Sequence, residues 1–125
     1  MGIMFRALAA LALVSALAGC ALFPPAGAEN KGGPTLAAGL RQYEEGQTAE
    51  SARMLQSAID QGLSERERVT AYKHLAFIHC AEGRERQCRD QFRKALAIDP
   101  RMELAPAEAG HPVWGPVFRA LKSGR

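Results

Sequence analysis

Apolar positions along residues 35–98 recur at helical spacing, and polar residues fill the places between them. Leu36, Leu40 and Tyr43 fall at i, i+4 and i+7, one face of a first helix that Gly46 interrupts. Ala52, Leu55, Ala58 and Ile59 line one side of a second, from about Thr48 to Gln61, with Gly62 as its stop. Ser64 followed by Glu67 forms a capping-box pattern that opens a third. Val69, Tyr72, Leu75, Ala76 and His79 make its stripe, and Gly83 ends it. Cys88, Phe92, Ala95 and Leu96 are the apolar side of a fourth, from about Arg86 to Ile98, closed by Asp99-Pro100. No alternating strand pattern is present. The fold class predicted is all-α.

Residues on either side of this block behave differently. Met1 to Arg6 carries one positive charge, Ala7 to Ala16 is apolar apart from Ser15, and small residues lead into Cys20. That is the build of a secretory signal. A membrane-spanning helix needs ~20 apolar residues, and this run reaches Phe23 only by including Gly19 and Cys20. Gly2 lacks the downstream Ser or Thr of a myristoylation site, since Arg6 stands there. Residues 21–34 hold three prolines, three glycines and no apolar period, and are expected to be a flexible tether. The tail, 101–125, contains Pro112 and Pro116, which exclude one long helix; Pro116 can open a short one bearing Trp114, Val117, Phe118 and Leu121 on one side. Packed over the second hairpin, that tail would be a cap; left exposed, Trp114 and Phe118 would dock a partner.

Three resemblances follow from these residues. Leu17-Ala18-Gly19-Cys20 resembles the bacterial lipobox. This implies cleavage of a signal peptide at 1–19, a diacylglycerol and an N-acyl chain on Cys20, and a lipidated tether over 20–34. With Ala21 rather than aspartate next, the resemblance implies the periplasmic side of the outer membrane. Tyr72, Leu75, Ala76, Gly83, Phe92, Ala95 and Pro100 resemble, in order and spacing, a tetratricopeptide repeat of ~34 residues. Gly39, Gly46, Leu55 and Ala58 match its pattern more loosely. Two such repeats, 35–63 and 69–100, with a capping tail at 101–125, are the implied organisation. The family's partner-binding face maps onto Leu40, Tyr43, Lys73 and Phe77. A repeat lipoprotein of this size with the Gly110-His111-Pro112 and Trp114-Gly115-Pro116-Val117-Phe118 tail is similar to small lipoproteins associated with type VI secretion. This implies an adaptor that holds or assembles a component of an envelope-spanning machine. A pilotin-like assembly factor for a pilus or secretin is the alternative.

Charge and chemistry narrow the classes. Without residues 1–19, fifteen basic and thirteen acidic residues remain, which does not point to nucleic acid. Arg84, Arg86, Arg89, Arg93 and Lys94 crowd one segment, as a solvated helix face or as a patch for an acidic partner or anionic headgroups. No nucleophile elbow, zinc-protease motif or phosphate loop is present, so neither an enzyme nor a small-molecule binder is expected. With Cys20 lipidated, Cys80 and Cys88 remain, an even number in an oxidising compartment. A disulfide between them, two buried thiols, a thiol-redox pair, or zinc ligands together with His79 are the readings open. No resident cofactor or metal is expected. His79 is expected to pack within its hairpin, and His111 to bond locally in the tail.

Overall fold

The computed structural model describes residues 30–124, which form six helices and, among the described residues, no strand. The signal segment 1–19, the lipidation site Cys20 and residues 21–29 of the expected tether lie outside the described residues. Helices α1 (Gly33–Glu44) and α2 (Thr48–Gln61) form one hairpin, and α3 (Glu65–Ala81) and α4 (Glu85–Ile98) the next. Two further helices, α5 (Pro106–Ala109) and α6 (Trp114–Lys122), follow in the tail.

Local chemistry accounts for the boundaries. Gly46, Gly62 and Gly83 all sit at positive φ, where a side chain would be strained, and they follow α1, α2 and α3. The Ser64 Oγ accepts from the Glu67 N–H at 3.3 Å, and the Glu67 carboxylate accepts from the Ser64 N–H at 3.0 Å. This reciprocal cap satisfies two orphan donors at the start of α3. The connection from α2 to α3 is therefore only Gly62–Ser64, and α3 begins four residues before the expected repeat boundary at 69.

The tether is shorter than the composition predicts. Gly32 is buried, its N–H donates to the Gly62 carbonyl at 2.9 Å, and its carbonyl receives the Leu36 N–H at 2.8 Å. A Cβ there would lie 2.1 Å from the Ala58 carbonyl oxygen, so only glycine fits. Pro34 then sits within the first turn of α1, where its missing N–H costs nothing. Residues 32–34 thus belong to the folded unit.

The interior has two linked clusters. Leu36, Leu55, Ala58 and Leu63 pack against Ala71, Leu75 and Ile78 of α3. Ala76, Phe77 and Cys80 of the same helix pack against Cys88, Phe92 and Ala95 of α4, and against Met102, Leu104 and Phe118 of the tail. Helix α3 is buried on two adjacent faces, which is why its apolar residues spread beyond one stripe. Val69, Tyr72 and His79, expected on that stripe, are only half-buried, and Ala71, Phe77 and Ile78 take the interior places.

The tail is a cap in its own right. Phe118 lies edge-on to Phe92 at 5.2 Å, and Trp114 lies over Phe77. Helix α6 opens at Trp114, two residues before Pro116, and crosses the open end of the second hairpin from α3 onto α4. The Lys122 ammonium fastens its far end through the carbonyls of Pro100 and Met102, at 3.1 and 3.2 Å.

Candidate interaction site and disulfide

The sequence-predicted face is brought together by α1, α3 and the tail, but the tail occupies much of it. Leu40 is half-buried against the first cluster. Tyr43 touches both clusters and meets His74 edge-on, ring centroids 5.1 Å apart. His74 in turn lies 5.6 Å from Phe77. Phe77 is 2% exposed. It is stacked by Trp114 at 4.5 Å, and His111 covers the other side of the indole at 3.3 Å. A column of rings therefore runs from α1 through α3 into the tail.

Polar contacts hold the column in register. The Lys73 ammonium donates to both oxygens of Glu108, at 2.9 and 3.2 Å. It also lies 5.8 Å from the centre of the Phe77 ring. The backbone carbonyl of Glu108 accepts from the Trp114 indole N–H at 2.9 Å. Glu108 also caps α5 by accepting from the Ala105 N–H at 3.0 Å. Burial alone would raise the Glu108 carboxyl. The hydrogen bond from Lys73, the Ala105 N–H and the charges of Lys73 and His74 outweigh that and hold it below the ordinary carboxylate value.

Two expectations are corrected here. Phe77, expected on the partner-binding face, and Phe118, a docking residue only if the tail were left exposed, are core residues, at 2% and 3% exposed. Their places are filled from within the chain, because an uncovered phenylalanine pair at the end of a two-hairpin stack would leave apolar surface in water. Lys73 is not open either, since Glu108 pairs with it. Of the expected docking residues, Leu40, Tyr43 and Trp114 keep partial exposure. Val113, beside Trp114, is 45% exposed. Nothing local in the sequence marks Glu108 and His111 as parts of this site, because their partners lie 35 residues away or across a proline.

Cys80 and Cys88 are joined by a disulfide, with Cα atoms 5.1 Å apart. The α3–α4 turn brings the helices close enough near Gly83 for this bridge, where parallel packing at ~8–10 Å would not. The two residues are 4% and 0% exposed. Burial shields both sulfurs from an attacking thiolate, which weighs against the thiol-redox reading. The bond also consumes two of the three ligands of the zinc reading. The third, His79, accepts at its Nδ1 from the Arg84 guanidinium at 3.1 Å. Among the described residues no cluster of three His, Cys, Asp or Glu is placed to hold a metal. His111 bonds locally, as expected, taking the Val113 N–H at 3.2 Å.

No helix among the described residues is long and apolar enough to cross a membrane. No protein-family model, no curated protein and no solved structure matches the chain.

Proposed function

We propose that this chain is a lipid-anchored adaptor, tethered through Cys20 to the periplasmic side of the outer membrane, whose paired helical hairpins hold a protein component of an envelope-spanning secretion machine. One observation carries the reading: Cys80 and Cys88 pair with each other, which leaves Cys20 as the odd cysteine, inside the Leu-Ala-Gly-Cys run. A buried disulfide fits an oxidising compartment. A third cysteine left over there calls for its own chemistry, and the lipobox pattern supplies it. Two acyl chains or more hold a protein on a membrane, where one does so only marginally.

The scaffold supports grip rather than turnover. Its ion pairs are structural or lie exposed on helix surfaces. The type VI assignment rests on the likeness of the repeat pattern and of the tail from Gly110 to Phe118. Metabolic labelling with radioactive palmitate tests the anchor: the wild-type chain takes up label and Cys20→Ser does not. Globomycin then causes the precursor to accumulate. Unchanged sedimentation of Cys20→Ser with the envelope, together with indifference to globomycin, would overturn the anchor. Loss of effector release on deleting the chain, restored by wild type and not by Cys20→Ser, supports the secretion role.

A further inference from the structure

A cavity of about 420 Å³ opens between the 103–109 segment and α6. Its floor is apolar, built from Leu104, Ala109 and Phe118, and its mouth carries Arg119 and Lys122, with Ser123 beside them. These two cations are one helical turn apart and so share a face of α6. Neither charge is firmly neutralised. Arg119 donates to the carbonyl of Ala109 at 3.1 Å and, among the described residues, pairs with no carboxylate. Lys122, besides its bonds to the Pro100 and Met102 carbonyls, pairs with Glu103 at 3.0 Å, and Glu103 is 71% exposed, so another carboxylate can take that one place. The chain thus already displays, at this mouth, the group the rim accepts. An apolar floor under a few convergent polar groups is the usual build of a binding site.

We infer that this cavity is a docking site for an acidic-apolar peptide segment of the protein partner. One apolar side chain sits on Leu104 and Phe118, and a carboxylate next to it lies between Arg119 and Lys122. Opposite charge argues for the occupant: the cavity lining carries two basic residues, Arg119 and Lys122, against one acidic residue, Glu103. The kind of occupant, a protein segment, rests on the adaptor reading. The site itself does not, and the test below needs no membrane anchor.

Full-length protein in mild detergent is titrated into a fluorescein-labelled peptide Ser-Gly-Ser-Asp-Leu-Phe with a free C-terminus, read by anisotropy. Binding with a dissociation constant below about 1 mM is expected. It should weaken at least tenfold in Arg119→Glu, an exposed position whose substitution leaves the core untouched. It should weaken similarly for the amidated Ser-Gly-Ser-Asn-Leu-Phe peptide, and survive Leu40→Ala on the opposite hairpin. No binding at 5 mM overturns the inference. So does equal binding of the amidated peptide, equal binding by Arg119→Glu, or displacement by octanoate at concentrations as low as the peptide's own. Binding by the peptide alongside failed palmitate labelling would retain the site and dismiss the anchored adaptor.

Discussion

Trp114 is stacked on Phe77 with ring centroids 4.5 Å apart and planes 26° from parallel, so the tail supplies the lid for the α3 face. The indole adds a hydrogen bond to the Glu108 carbonyl at 2.9 Å. Trp114→Ala removes the stack, the bond and the support of His111 together. The expected loss is about 2–4 kcal/mol, below the cost of a fully buried tryptophan because one edge stays wet. Urea unfolding followed by far-ultraviolet dichroism measures it. Trp114→Phe keeps the stack and should lose less than half as much.

The Cys80–Cys88 bridge closes a short loop around the α3–α4 turn. Chain-entropy arguments give about 2–3 kcal/mol for a loop of this size, a model-dependent figure. Reduction, or the double substitution to serine, should lower the melting temperature by roughly 10–20 °C, at about 4–8 °C per kcal/mol. Calorimetry with and without reductant tests this. Burial of both cysteines further predicts that mild reductant acts only as the protein unfolds.

His74 gives the protein an acid-sensitive point. Burial, foremost, and then the charge of Lys73 push its pKa below the ordinary 6.5; the Thr70 carbonyl, Glu108 and Glu44 pull the other way without restoring it. Its Nδ1 lies 2.8 Å from the Thr70 carbonyl, which only accepts, so Nδ1 carries the proton of the neutral ring. The unfolded chain therefore protonates first as pH falls through about 6.5. Stability declines from there until the folded-state pKa is reached, and the loss is then complete. His79 shifts in the same direction, through burial and the charge of Arg84. Melting temperatures at pH 7.5 and 5.0 should differ, and His74→Gln should narrow the gap. Glu108 is shifted the same way, downward from 4.5, so its contribution too is present above 4.5 and disappears only in stronger acid.

Gly39 sits where α1 and α2 pack tightly. A Cβ there would stand 3.1 Å from the Met54 Cβ and 3.2 Å from a Leu55 methyl. The same crossing buries Ser51, whose hydroxyl donates to the Gly39 carbonyl at 2.8 Å. Gly39→Val should cost about 2–3 kcal/mol by forcing the helices apart. Gly39→Ala needs only a few tenths of an ångström of movement and should cost far less. Denaturant midpoints of the two variants decide it.

The hydrophobic period carried the hairpins because each helix has one dominant dry face. Helix α2 spans Thr48–Gln61 as predicted, and the Ser64–Glu67 cap is in place. What the period does not carry is pairing between distant faces. Phe77 falls off the main stripe of α3, and nothing local says that Trp114, 37 residues on, covers it. The Lys73–Glu108 pair is equally remote. Helix α5 is one turn long and leaves no period to find. Ser51 leaves no mark on the apolar period, since it is polar yet wholly buried, satisfied by a backbone carbonyl across the hairpin. For Cys80 and Cys88, spacing placed the pair across one turn, but only the convergence of the helices there decided the bond.

Seating Gly32 against Gly62 has a consequence for distance. Only twelve peptide units separate it from Cys20. Fully stretched, that leash spans at most about 40 Å. On the proposal that Cys20 bears lipid, the hairpins would patrol only a thin layer beside the bilayer, and any partner would have to come to within that radius.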